Sequence, residues 1–322
     1  MSRPKVYVTR EINPEALNLL KENCEVTSWT GSSPVPRAEL LKNVSDVDAL
    51  FCLLTDKIDK DLLDKAKKLK VIGTMSVGYD HLQIDEIKSR NIKVGYTPNI
   101  LTDATAELTI ALLLATSRRL LEANREARTG GWAAWSPFWM CGPGLSGSTV
   151  GIVGFGRIGQ EIGKRLKPFK VKRILYQSRS AKDDQANEIG AERVNFDELL
   201  KQSDFVIVTI SLAPETANIF NEEAFKKMKP TSIFINTSRG GVVDQDALIK
   251  ALQNKTIWAA GLDVMTPEPL PLDSPLFKLE NCVILPHIGS ATLDARKNMA
   301  LLTSRNIIAA LKNEKMPEEL IL

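Results

Sequence analysis

Histidine is the scarcest chemistry-bearing residue here: the chain has only His81 and His287 in 322 residues. Zinc and non-haem iron sites usually draw on two or three imidazoles, so metal-dependent hydrolysis is disfavoured and any imidazole chemistry falls on one of these two residues. Cysteine is sparse as well. Cys24, Cys52, Cys141 and Cys282 stand far apart with no C-x-x-C pair, which excludes a zinc ribbon or a disulfide scaffold and predicts buried free thiols in a reducing compartment. Charge of one sign is also lacking: 42 Lys and Arg against 39 Asp and Glu leave +3, too weak a field for nucleic acid as the main partner. The longest uncharged apolar stretch, Leu108 to Ser117, is too short to span a bilayer, and the opening MSRPKVYVTR carries no apolar leader. The expectation is a cytoplasmic protein with no membrane partner, and its 43% hydrophobic and 25% charged residues are those of a globular chain. At about 150 residues per domain, the length predicts two domains.

From Lys5 onward, short β-branched runs (KVYVT, EVTSW, VDALFCLL, LKVIGTM, IKVGY) alternate with amphipathic stretches such as PEALNLLKE. That alternation predicts βαβ units around a parallel sheet. Asp103 to Arg128 reads as one long helix, with Ala106, Ile110, Leu113 and Leu114 apolar and an arginine-rich tail. Gly130 to Ser148 holds three of the five tryptophans and fits no regular element. A second alternating series follows, with strand candidates TVGIV, RILYQ, FVIVTI, SIFINT, WAAGLDV and CVILP, enough for a doubly wound sheet. A final helical pattern, Leu293 to Lys312, fits against either domain.

The strongest local signal is G-x-G-x-x-G at Gly154, Gly156 and Gly159, placed after a β-branched run and opening a helix through Arg157 and Ile158. Such glycines permit a tight turn, close approach of a pyrophosphate and close helix packing, beside the free N–H groups of the helix start. NAD-preferring folds place an acid at the end of the next strand. RILYQ instead ends at Gln177, followed by Ser178, Arg179 and Ser180, which offer donors to a 2′-phosphate and predict NADP(H). The other cations between Lys164 and Lys182 read as a solvated face. Arg239, Glu268 and His287 have no spacing signature, but each follows a strand candidate, where open α/β sheets bind ligands.

The runs VGIVGFGRIGQ, INTSRGGVVDQDAL, AAGLDVMTPEPLP and ILPHIGSAT, in this order, resemble the D-2-hydroxyacid dehydrogenase family over nearly the whole chain. MSVGYDHL, GYTPNILTDATAE and GGWAAWSPFWMCG are most similar to its branch that reduces glyoxylate and hydroxypyruvate. The resemblance implies two doubly wound parallel-sheet domains: a Rossmann-like nucleotide domain (103–287) inserted into a flavodoxin-like substrate domain (1–102 plus 288–322). It also implies a homodimer, and NADPH-dependent reduction of a small 2-keto acid to a 2-hydroxy acid. In the family pattern His287 is the proton donor, Glu268 the carboxylate that orients it, and Arg239 the substrate clamp. Backbone N–H groups of Val77 and Gly78 resemble the carboxylate cradle, Trp135 a substrate-shaping residue for the partner subunit, and Ser211, Thr237, Asp263 and Gly289 the nicotinamide side. His81 and Trp132 read as structural.

Three other readings share these motifs. D-3-phosphoglycerate dehydrogenase would show an acid at Gln177 and a regulatory domain; formate dehydrogenase would carry glutamine at Glu268; a dinucleotide-sensing transcriptional corepressor would carry long polar tails.

Overall fold

The computed structural model describes residues 3–31 and 33–322. The chain forms two compact units, Met1–Leu101 with Ala291–Leu322, and Thr102–Ser290. Among the described residues, no helix is long and apolar enough to cross a membrane.

The first unit is built on β1 (Lys5–Val8), β2 (Glu25–Ser28), β3 (Ala49–Cys52), β4 (Val71–Thr74) and β5 (Lys93–Gly95), all parallel in the order β2-β1-β3-β4-β5. This is the flavodoxin-like order. β3 and β4 are buried along their whole length, as strands covered on both faces must be. The helix Leu293–Leu311 packs on this unit because Gly73 and Gly95 leave room for it: a Cβ at either would stand 2.7 Å from Ile307 or 2.5 Å from Asn306. Asn306 is fully buried yet satisfied, its Nδ2 donating to the Tyr96 carbonyl at 3.0 Å and its Oδ1 accepting from the Glu318 N–H at 2.9 Å.

The second unit carries β6 (Thr149–Val153), β7 (Arg173–Gln177), β8 (Ala191–Arg193), β9 (Phe205–Val208), β10 (Ile233–Asn236), β11 (Ala259–Leu262) and β12 (Cys282–Ile284). All are parallel, in the order β12-β11-β10-β9-β6-β7-β8, which is the dinucleotide-fold order with one strand added. Alternate residues face opposite cores. Phe205 and Ile207 join Ile152 and Ile235 on one side, whereas Val206 and Val208 join Val153 and Phe234 on the other.

Several expectations need correction. The second sheet has a seventh strand, β8, whose AER carries no apolar run and which is held by pairing with β7. The single helix from Asp103 to Arg128 is two, Thr102–Ser117 and Leu120–Thr129, broken at Arg119 with φ 51°. The break falls where a helix buried among neighbours gives way to one with no buried residue, and the Arg119 guanidinium holds Glu122 in the first turn of the second helix at 2.5 Å. Cys24 and Cys52 are buried free thiols, but Cys141 is exposed and Cys282 only partly covered. Cys141 lies in Gly130–Ser148, which forms neither helix nor strand.

Candidate active site

Strands of a parallel sheet all point one way, so the loops leaving their carboxyl ends share one edge. Along that edge of the second unit stand, in sheet order, His287 beyond β12, Glu268 beyond β11, Arg239 beyond β10, Ser211 beyond β9, the Gly154 turn beyond β6 and Gln177 at the end of β7. Residues that spacing left anonymous thus become neighbours through strand order.

His287 Nδ1 lies 2.7 Å from Glu268 Oε2, and both side chains are partly exposed. Burial pushes the Glu268 carboxyl up, but the His287 hydrogen bond and charge, the Met265 N–H and the Arg239 guanidinium outweigh it and hold the group below its ordinary value. Its other oxygen, Oε1, accepts the Met265 N–H at 3.0 Å, so the carboxylate is fixed at both ends. His287 has φ 55°, a left-handed conformation that costs a side-chain-bearing residue about 1 kcal/mol or more. Asp263 maintains it. The His287 N–H donates to the Asp263 carbonyl at 2.9 Å, and the Ile288 and Gly289 N–H groups donate to its two carboxylate oxygens at 2.8 Å each. Burial raises the Asp263 carboxyl above its usual value, against the Ile288 and Gly289 N–H groups and the His287 charge. These bonds also keep the segment up to Ser290 with the second unit, three residues beyond the expected seam at 287.

Arg239 is presented by Asn236, a buried residue at the end of β10 that sequence reasoning missed. Asn236 Nδ2 donates to the Arg239 carbonyl at 2.9 Å, while its Oδ1 accepts the Ser238 N–H at 3.0 Å and hydroxyl at 2.9 Å. The legible signal was Asn at a strand end before Ser-Arg-Gly-Gly, an Asx-turn pattern. Gly240 packs where a Cβ would be 2.0 Å from the Met265 carbonyl oxygen, so only glycine lets the Arg239 loop approach the Glu268 loop. Gln245 ties the same two segments together: its Nε2 donates to the Thr266 carbonyl at 2.8 Å and its Oε1 accepts the Thr266 N–H at 3.1 Å. The run INTSRGGVVDQDAL contains Gln245, but nothing in its spacing singled it out.

The glycine turn has the form a pyrophosphate cradle needs. Gly154 has φ 96°, a Cβ at Gly159 would meet the Gly154 carbonyl oxygen at 2.3 Å, and nothing stands within 4 Å of a Cβ at Gly156. Gly156 caps the helix Arg157–Leu166, leaving its first N–H groups and Ile158 at the turn. Among the expected ribose-end residues, Gln177 and Ser178 are half-buried and Arg179 and Ser180 exposed. The Ser178 hydroxyl is already donated to the Ser180 carbonyl at 2.6 Å. A second cation not singled out from sequence, Arg193, donates to the carbonyls of Ser178 at 3.2 Å and Arg179 at 3.3 Å. Of the cations read as a solvated face, Lys164 and Arg165 pair with Glu161 and Arg173 with Glu192.

Thr237 is buried, and its hydroxyl meets that of Thr109 at 2.8 Å. Ser211 is exposed, its carbonyl accepting from the Thr216 hydroxyl at 2.7 Å. Trp135 is 82% exposed, and Trp132, expected as packing, is 62% exposed. In the first unit, Val77 and Gly78 lie just past β4, partly exposed.

The chain belongs to the D-isomer specific 2-hydroxyacid dehydrogenase family, whose NAD-binding domain model matches residues 110–289, and it is an oxidoreductase of that class. Over 319 residues it is 54% identical to the glyoxylate reductase/hydroxypyruvate reductase of Homo sapiens, covering 98% of this chain and 97% of that protein. It is 49% identical to a glyoxylate reductase of Thermofilum pendens, with 98% and 94% covered. Among solved structures, a Thermus thermophilus protein superposes with a TM-score of 0.92 at 42% identity, covering 98% and 100% of the two chains. An NADPH-dependent glyoxylate/hydroxypyruvate reductase of Sinorhizobium meliloti, in complex with NADP and malonate, gives 0.88 at 31% identity, with 99% and 97% covered.

Proposed function

We propose that this chain is a cytoplasmic, homodimeric enzyme that reduces glyoxylate and hydroxypyruvate to glycolate and D-glycerate with NADPH. The observation that carries the reading is the 2.7 Å Glu268–His287 pair, set beyond the neighbouring strands β11 and β12, with Arg239 beyond β10 next to them. The likeness to reductases of these two acids supports the substrate. In this reading the second unit is the dinucleotide-binding domain and the first the substrate-binding domain.

When bound, the nicotinamide cofactor supplies the hydride. Gly154, Gly156, Arg157, Ile158 and Gly159 would hold its pyrophosphate, Gln177, Ser178, Arg179 and Ser180 its phosphorylated ribose, and Ser211, Thr237, Asp263 and Gly289 its nicotinamide side. Fit is favoured by the open space at Gly156 and by the absence of a carboxylate from 177–180. With Nδ1 committed to Glu268, His287 keeps Nε2 as the ring atom able to hand a proton to the substrate's carbonyl oxygen. Arg239 would pair with the substrate carboxylate, and in the first unit the N–H groups of Val77 and Gly78 would serve as a carboxylate cradle. The exposed Trp132, Trp135 and Phe138 form apolar surface that a second copy would cover, with Trp135 shaping that copy's substrate site.

Steady-state kinetics with both acids and both cofactors tests this. Higher kcat/KM with NADPH is expected, and parity with NADH would remove the cofactor assignment. His287→Asn should lower reduction about 10²–10⁴-fold while NADPH binding, followed by fluorescence, persists; near-full kcat would overturn the proton-donor role.

A further inference from the structure

His81 is the histidine for which the proposed chemistry has no use, yet it ends a chain of buried hydroxyls. Its Nε2 lies 2.9 Å from Thr74 Oγ1, which lies 3.0 Å from Ser76 Oγ, which donates to the Gly78 carbonyl at 2.6 Å. Thr74 is fully buried and Ser76 is 4% exposed, so water does not complete these bonds. The far end fixes every direction. A carbonyl can only accept, so the single proton of Ser76 goes to Gly78. Ser76 must then accept from Thr74, whose own proton is thereby used, and Thr74 must accept from the ring.

We infer that His81 is a positioning residue: Nε2–H, protonated at that atom, drives a one-way relay through Thr74 and Ser76 that holds the Val77–Gly78 segment in its binding geometry. The Ser76–Gly78 bond spans the peptides carrying the Val77 and Gly78 N–H groups, and the Ser76 carbonyl is pinned in turn by the Thr97 N–H at 2.9 Å. Both ends of the segment are thus fixed from beneath. Val77 and Gly78, residues partly exposed past the end of β4, then keep their N–H groups set for an anion with no reorganisation at binding. This inference rests on the proposed role of Val77 and Gly78 in holding the substrate carboxylate.

The relay is tested separately from that role. With two histidines in the chain, ¹⁵N-imidazole spectra of the wild type and of His287→Asn assign every ring signal. A pyrrole-like, protonated Nε2 on His81 is expected, and a bare, pyridine-like Nε2 overturns the relay whatever the enzyme reduces. In kinetics, His81→Phe removes the donor, whereas His81→Gln places an amide N–H near the same point. His81→Phe should raise KM for glyoxylate about tenfold, the scale of one hydrogen bond, with kcat and the cofactor KM little changed, and His81→Gln should recover most of it. Equal impairment of both variants, or a wild-type KM in His81→Phe, would overturn the inference. If the wild type reduces neither acid, the functional reading fails and the spectra still decide the relay.

Discussion

Glu268→Gln isolates what the carboxylate does for His287. Glutamine keeps the shape and keeps an oxygen for the Met265 N–H, but sets an NH₂ group where Oε2 stood 2.7 Å from the ring. Two donors then face each other, so the ring must surrender its Nδ1 proton or turn away. A hydrogen bond to a charged group is worth about 1.5–3 kcal/mol, and at ~1.4 kcal/mol per decade this removes the proton-donating form by a factor of roughly 10–150. Because Glu268 lies below the ordinary carboxyl range, it is ionised in the parent throughout a neutral assay, so the comparison is between a charge and a dipole. A depressed carboxyl stabilises the fold above its unfolded value and loses that contribution only as pH falls through the folded value, so neutral stability is the proper baseline. With side chains only 22% and 28% exposed, loss of the pair should cost about 1.5–3 kcal/mol of stability, the worth of that charge-assisted hydrogen bond. The assay is kcat/KM for glyoxylate reduction at neutral pH, with thermal melts as control. A deficit of roughly 10–150-fold is expected with the fold retained. No deficit, or one that follows loss of folded protein in the melts, would refute the reasoning.

Gln245→Ala removes two hydrogen bonds to Thr266 and should lower kcat/KM about tenfold with the cofactor KM unchanged; Gln245→Glu, which keeps the acceptor alone, should fall between. Arg193→Ala should raise KM for NADPH about tenfold and leave that for NADH alone, since only the former carries the extra phosphate; equal changes would assign Arg193 to the loop fold. Ile307→Ala, at a fully buried position of the C-terminal helix, should cost about 2–5 kcal/mol, read as a lower urea midpoint at unchanged slope.

Strands with β-branched runs were legible because burial on both faces writes a continuous apolar run into local sequence, as in FVIV of β9. β8 was not, because AER earns its place only through pairing with β7. Gly154, Gly156 and Gly159 were legible because a turn and a helix start are local events. Two supports of the site were not: Gln245 and Arg193 act on segments that spacing does not connect, whereas Asn236 acts two and three residues on and left a local Asx-turn pattern.

The sequence alone determined the alternation of strands and helices, the glycine turn and the missing acid at Gln177, since each follows from neighbours along the chain. Tertiary structure alone decided that His287, Glu268 and Arg239 lie beyond adjacent strands, that Asp263 holds His287 at φ 55°, and that His81 ends a chain of buried hydroxyls. The reason is physical. Strand order and hydrogen-bond direction are set by contacts between residues distant in sequence, and no local pattern records them.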